Sequence, residues 1–220
     1  MLKSMRKHAK YFYVLFFVVI LSFIFWGVGG IDKSTATPIV RIDGEKITVE
    51  DYWTAYERAV DVYREIYKDK FPEMEEKLNL KRNVLDAMIE ERVLAMTAKS
   101  IGIKISDEEL GESITGDPAF QRDGKFRKDI YENILRRNRL TPKTYEVIKE
   151  RELLSEKMRA LIQDSVVVNP DELKGLPQDE NFIKSISETI LRGKREQAMK
   201  SYIAGLKKRM KIVENTKGIL

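Results

Sequence analysis

The sequence predicts a mainly α-helical protein, in which an N-terminal transmembrane helix is followed by a multi-helix module with a small sheet formed by strands from its two ends. Three observations carry this expectation. Residues Tyr11 to Ile31 form a run of 21 positions without a charge. Beyond it, apolar residues recur at three- and four-residue steps through most of the chain, the period of amphipathic helices. Two short β-branched stretches, IVRI at 39–42 and KIVE at 211–214, stand at opposite ends of the helical part.

The uncharged run comes first in the chain. At about 1.5 Å rise per residue it makes roughly 31 Å of helix, close to the roughly 30 Å hydrocarbon thickness of a bilayer. Tyr11, Tyr13 and Trp26 stand where interfacial aromatic residues belong, and Lys3, Arg6, Lys7 and Lys10 precede the span. Positive charge before a first span orients the chain with its N-terminus in the cytoplasm and its body outside. Gly27-Val28-Gly29 also has the small-x-small form of a signal-cleavage site, so a cleaved leader is the alternative. The length and bulk of the apolar run favour a retained anchor. Both alternatives export residues 32–220, and the absence of cysteine suits an oxidising compartment. The expected organisation is a cytoplasmic tail and anchor over 1–31, a polar linker over 32–37, and one module over 38–220.

Within the module, IVRIDGEKIT reads as a hairpin turning at Asp43-Gly44, a dipeptide suited to the positive dihedrals of a type I′ turn. Thr48 and Asp51 then form a capping-box pattern. The helix they open carries Trp53, Tyr56, Val60, Tyr63 and Tyr67 on one face. A second helix is predicted over 79–100 with Val84, Leu85, Met88, Ile89, Met96 and Ile101 inward, ended by Gly102. Ser106 and Glu109 cap a short third helix. Helices follow at 127–138 and 142–164, the latter opened by Thr141-Pro142, an N-cap with proline at the first helical position. Asn169-Pro170 starts a further turn, and GLPQDE interrupts the chain. A long helix over 180–209 patterns through Ile183, Ile186, Ile190, Ala198, Tyr202 and Leu206.

Charge and residue chemistry exclude several functions. Lys3, Arg6, Lys7 and Lys10 are four of the 40 basic residues, which leaves 36 basic against 35 acidic residues in the remainder. A body so near neutrality is not expected to bind nucleic acid, which needs a basic excess gathered on one face. The clusters Arg136-Arg137-Asn138-Arg139 and Lys207-Lys208-Arg209 read as solvated helix surface. The only histidine is His8 and there is no cysteine, so no metal site or nucleophilic site built on those residues is expected in the body. No glycine-rich phosphate loop is present, and no cofactor is expected. The carboxylate pairs Glu90-Glu91 and Glu108-Glu109 lie in charge-rich helical patterns and read as surface. No catalytic residue is assigned, and the chain is not expected to be an enzyme.

The blocks IVRIDGEKITVEDY, VLDAMIEERVLAMTAKSIGIKISDEEL and DPAFQRDGKFRKDIYENILRRNRLTPKTYEVIKERELLSEKM together resemble the N-terminal chaperone domain of SurA/PpiD-type periplasmic folding factors, over roughly residues 38–168. The resemblance implies a membrane-anchored periplasmic chaperone of the holdase type, binding unfolded exported or outer-membrane proteins. A scaffold for a specific inner-membrane partner, such as the secretion machinery, is the alternative it implies. Where members of that family usually carry parvulin domains, between Leu173 and Asn181, this chain has only a few residues. Prolyl isomerase activity is therefore not expected.

Six aromatic residues are candidates for client contact: Trp53, Tyr56, Tyr63 and Tyr67 on one helix face, and Phe120 and Phe126 around the Asp123-Gly124 turn. Each group also has a structural reading, the first as core and the second as a packed turn inside the helical module. The span and its positive flank predict that protease added to spheroplasts digests the body and leaves a small membrane-bound stub. A body protected in intact spheroplasts would reverse that topology.

Overall fold

The chain enters its folded unit through the expected hairpin, and the far end of the chain closes onto it. The computed structural model describes residues 37–174 and 179–219; the anchor and linker expectations at 1–36 lie outside the described residues. Strands β1 (Pro38–Ile42) and β2 (Glu45–Thr48) pair antiparallel about Asp43 and Gly44, whose φ angles of +46° and +102° fit the turn that favours this dipeptide. Strand β5 (Ile212–Glu214) pairs antiparallel with the other edge of β1, giving the order β2-β1-β5 with Val40 opposite Glu214 and Ile42 opposite Ile212. The Lys211 N–H donates to Asp43 Oδ1 at 2.8 Å, and the Asn215 N–H to the Ile39 carbonyl at 2.7 Å. Two strands this short are marginal in water; a third and a helical layer stabilise them.

Helix α1 (Val49–Tyr67) opens with the full capping box: Thr48 Oγ1 accepts from the Asp51 N–H and Asp51 Oδ2 accepts from the Thr48 N–H, both at 3.1 Å. A 3-10 turn (Lys68–Lys70) leads into α2 (Phe71–Lys77), which periodicity did not predict. Helix α3 (Leu80–Ser100) ends in a Schellman arrangement, with Ile103 N–H donating to the Ala98 carbonyl at 2.9 Å, Gly102 N–H to the Lys99 carbonyl at 3.1 Å, and Gly102 at φ +89°. The predicted inward residue Ile101 is instead 55% exposed. The reversal begins there, and Ile103 is the residue that packs back against the core.

Helix α4 (Asp107–Thr115) is capped by Ser106, whose Oγ accepts from the Glu109 N–H at 3.1 Å. The Glu109 carboxylate does not complete the box; it accepts from Lys157 Nζ at 2.7 Å. A 3-10 turn (Pro118–Phe120) and a two-stranded hairpin, β3 (Gln121–Arg122) and β4 (Lys125–Phe126), precede α5 (Lys128–Arg137). Helices α6 (Pro142–Asp164, capped by Thr141) and α7 (Glu180–Arg209) follow, with a 3-10 turn (Pro170–Leu173) after α6. Among the described residues, no helix is long and apolar enough to cross a membrane.

The main core is organised by α3. Its nine buried residues, from Leu80 to Ala98, are spread around the helix instead of forming one stripe, so it needs cover on several sides. Helix α6 provides the most extensive pairing, and α1, α7, α2 and β1 supply the rest. Helix α7 contributes Met199, Ile203 and Leu206 from its second half. Ile183, Ile186 and Ile190, which the long-helix pattern had placed inward, are only partly covered. Ion pairs tie the closing segment to α3: Arg82 holds Asp86 at 2.8 Å and Glu214 at 2.7 Å, and Lys207 holds Glu90 at 3.0 Å. A second cluster, Ile114, Phe120, Tyr131 and Leu135, joins α4, the β3–β4 hairpin and α5 to the start of α6.

Removing most of one buried side chain from the closing helix tests this arrangement. Leu206→Ala should destabilise the fold by about 2–5 kcal/mol, read as a lowered urea midpoint with unchanged m-value. Unchanged stability would mean that α7 does not complete the core.

Candidate functional site

The capping box at Thr48 fixes where α1 begins, and packing against α3 brings one row of its rings to the core. Tyr52, which the sequence reading passed over, is fully buried, and its hydroxyl donates to the Lys81 carbonyl at 3.2 Å. It anchors a ladder: its ring lies 5.2 Å from Trp53, edge to face, and 6.1 Å from Tyr56, stacked, while Trp53 and Tyr56 meet at 5.5 Å. Two turns further on, Tyr63 and Tyr67 stack at 6.0 Å with planes 3° apart. Trp53, Tyr56, Tyr63 and Tyr67 are all partly buried and pack against the main core. The signal for Tyr52 was present, four residues before Tyr56, but Trp53 drew the stripe one position over.

The outward face of α1 carries a different apolar pair. Val62 and Ile66, four residues apart and so on one side of the helix, are 56% and 64% exposed. Neither stood out in the sequence, because both fall off the aromatic period. Trp53 additionally lines a cleft of about 360 Å3, where Glu50, Thr54 and Glu57 of α1 face Arg137, Asn138 and Arg139 at the end of α5. The cluster Arg136–Arg139 is exposed as expected, and two of its arginines line the cleft together with Trp53. Opposed charges beside an aromatic ring suit a peptide, which presents apolar side chains and backbone dipoles together.

Phe120 and Phe126 lie in a different place from the α1 face. Phe120 keeps 3% of its surface and meets Tyr131 at 5.0 Å and Tyr145 at 5.5 Å, both edge to face. Phe126 lies 5.8 Å from Tyr131 and is partly buried. Asp123 and Gly124, at φ +55° and +71°, form the turn between them. The rings hold the hairpin onto α5 and α6, so Phe120 offers no open face for a ligand in this conformation.

The carboxylate pairs of the sequence are divided among ion pairs. Glu90 meets Lys207, Glu91 meets Arg151 at 2.6 Å and Glu109 meets Lys157 at 2.7 Å. Neighbouring helix positions point apart: Glu90 reaches α7 and Glu91 reaches α6, where Glu109 also finds its partner. Among the described residues, no group of three or more His, Cys, Asp or Glu side chains is placed to hold a metal ion.

Burial leaves its mark on the phenols. Desolvation, and then the hydrogen bond to the Glu75 carboxylate, push the Tyr56 hydroxyl up to about 12; desolvation and the Asp117 charge do the same to Tyr145, also to about 12. Burial raises Tyr52 and Tyr131 as well. Because the folded state keeps these groups protonated to higher pH than the unfolded chain, their contribution is whole below the ordinary value near 10. For Tyr56 and Tyr145 it is lost as pH rises through about 12. Absorbance titration at 295 nm should therefore show phenols ionising later in the native protein than in guanidinium chloride, with Tyr56→Phe removing one late component. Coincident native and denatured curves would contradict the burial described.

Comparison with known proteins follows the same outline. Residues 1–159 match the SurA-like N-terminal domain, a stretch that takes in the β1–β2 hairpin, the aromatic face of α1, the ring cluster and most of α6. The periplasmic chaperone PpiD of Haemophilus ducreyi is 28% identical over 170 residues, covering 74% of this chain and 27% of that protein. PpiD of Escherichia coli K12 is 26% identical over 150 residues, covering 66% and 24%. The foldase protein PrsA of Clostridium perfringens strain 13 is 23% identical over 199 residues, covering 84% and 58%. The chain thus spans about a quarter of the length of the PpiD relatives it matches. With more than half of its length matched, the chain belongs to the SurA-like N-terminal domain family.

Proposed function

We propose that the protein is an extracytoplasmic chaperone, a membrane-anchored holdase that binds unfolded exported polypeptides and does not isomerise prolyl bonds. The observation that carries this reading is the family match over residues 1–159, with relatives named periplasmic chaperone and foldase. The binding surfaces we assign to it are two patches of α1: the exposed pair Val62 and Ile66, and the cleft lined by Trp53. Fully burying one such aliphatic side chain contributes about 1.5–3 kcal/mol, so a client held by a few partial contacts of this kind is held weakly and released without nucleotide. Tyrosine and tryptophan add a tolerant surface, since their rings accept many partners in many orientations.

The absence of isomerase activity is part of the proposal. Rotation about a prolyl amide faces a barrier of about 18–20 kcal/mol, and lowering it takes a pocket shaped to the twisted bond. In the resembling family that pocket belongs to the parvulin domain, and the chain between Leu173 and Asn181 holds too few residues to form one.

The test pairs two assays on the full chain in a neutral detergent. It should slow aggregation of an unfolded outer-membrane protein, Val62→Glu combined with Ile66→Glu should weaken that effect, and prolyl-peptide isomerisation should stay at the uncatalysed rate. Isomerisation comparable to a parvulin would refute the non-enzymatic reading. No effect on any unfolded client, with a single stoichiometric partner in a detergent pull-down, would favour a scaffold at the inner membrane or secretion machinery instead.

A further inference from the structure

Away from α1, a cleft of about 790 Å3 opens between the second half of α6, α3 and α7. Its floor is apolar, formed by Leu191, Met199 and Ile203, with Met199 and Ile203 buried beneath it in the core. Its rim is charged and unbalanced. Five basic residues line it against three acidic ones, in a body that is otherwise close to neutral.

Several of those charges are occupied. Lys207 holds Glu90, Lys200 holds Glu196, and Arg195 donates to the Gln163 carbonyl at 3.1 Å while approaching Asp164 at 3.9 Å. Arg159 on α6 and Arg192 on α7 have no ion-pair partner among the described residues, though both face the cleft. A planar guanidinium matches a carboxylate through two parallel hydrogen bonds, which a lysine ammonium does not. The volume lies within the range of about 300–1,000 Å3 typical of ligand sites. That is room for a short extended segment and too little for a folded domain.

We propose that the α6–α7 cleft is a second binding site, which takes an extended polypeptide segment whose side-chain carboxylates flank an apolar side chain. The apolar side chain covers Leu191 and Met199, and the carboxylates reach Arg159 and Arg192. The proposal rests on the chaperone reading only for the occupant being an unfolded chain; the cleft and its charge stand apart from α1.

Fluorescence anisotropy on the full chain in neutral detergent tests it. The probes are a labelled, end-blocked peptide alternating leucine with glutamate and its counterpart with lysine in place of glutamate. At low ionic strength the acidic peptide should bind about tenfold more tightly, with the difference shrinking as salt is added. Arg159→Glu with Arg192→Glu should abolish the preference at an unchanged melting temperature. If that pair lowers the melting temperature, Arg159→Gln with Arg192→Gln serves in its place. Equal binding of the two peptides, or a preference that survives both pairs of variants, would overturn the proposal. So would displacement of the acidic peptide by micelles doped with phosphatidylglycerol, which would make the cleft a lipid site. Discrimination without any suppression of aggregation would remove the holdase reading and leave the cleft. Suppression without discrimination would do the reverse.

Discussion

Helix α3 is apolar around most of its circumference, and the rest of the fold follows from covering it. A helix with one apolar stripe is satisfied by one neighbour; Leu80, Leu85, Val93, Leu94 and Ala98 point in too many directions for that. Helix α6 covers one side, α1 with its Tyr52 anchor another, and the second half of α7 a third. The small sheet covers what remains through Val40, Ile42 and Ile47. The ion pairs from Arg82, Glu90 and Glu91 to β5, α7 and α6 lie at the edges of these contacts. They orient the covering elements more than they stabilise them, since partly exposed pairs contribute little.

That arrangement explains which parts of the fold were legible. Thr48, Ser106, Thr141 and Asn169 each begin a helical turn through a local hydrogen bond, and local chemistry is readable without knowing the fold. The Asp43-Gly44 turn was readable for the same reason, and the meeting of IVRI with KIVE because short strands need partners. The inward face of α3 was not. A search for one stripe finds Val84, Leu85 and Ile89 but omits Val93, Leu94, Ala95 and Ala98, because a helix buried all round has no period to detect. In α7 the sequence period runs through Ile183, Ile186 and Ile190 as well as Leu206, whereas burial falls on Met199, Ile203 and Leu206 in the second half. The difference lies in which half α3 reaches, a fact of tertiary packing.

The aromatic residues divide by use. Those at Phe120, Tyr131 and Tyr145 are spent on each other and hold a hairpin, two helices and a turn as one unit. Those on α1 are spent only in part. Their inner edges pack on the core while Trp53 remains at the wall of a cleft. The exposed aliphatic pair on α1 was invisible in the sequence because single valines and isoleucines on a surface are ordinary; it is the pairing on one helix side that matters.

The β1–β5 pairing also has a consequence for the order of events during folding. The first strand of the described module is completed by the strand at Ile212–Glu214, with Val40 opposite Glu214, so the contact spans almost the whole module. Chain closure over such a distance is slow compared with helix formation. A chain made from its N-terminus forms the hairpin, α1 and α3 while residues 199–214 are still absent. During that interval the side of α3 destined for α7 is open to water. Until α7 arrives, that side of α3 presents the same kind of exposed apolar surface as the unfolded chains we propose the protein holds, and aggregation is the risk it carries.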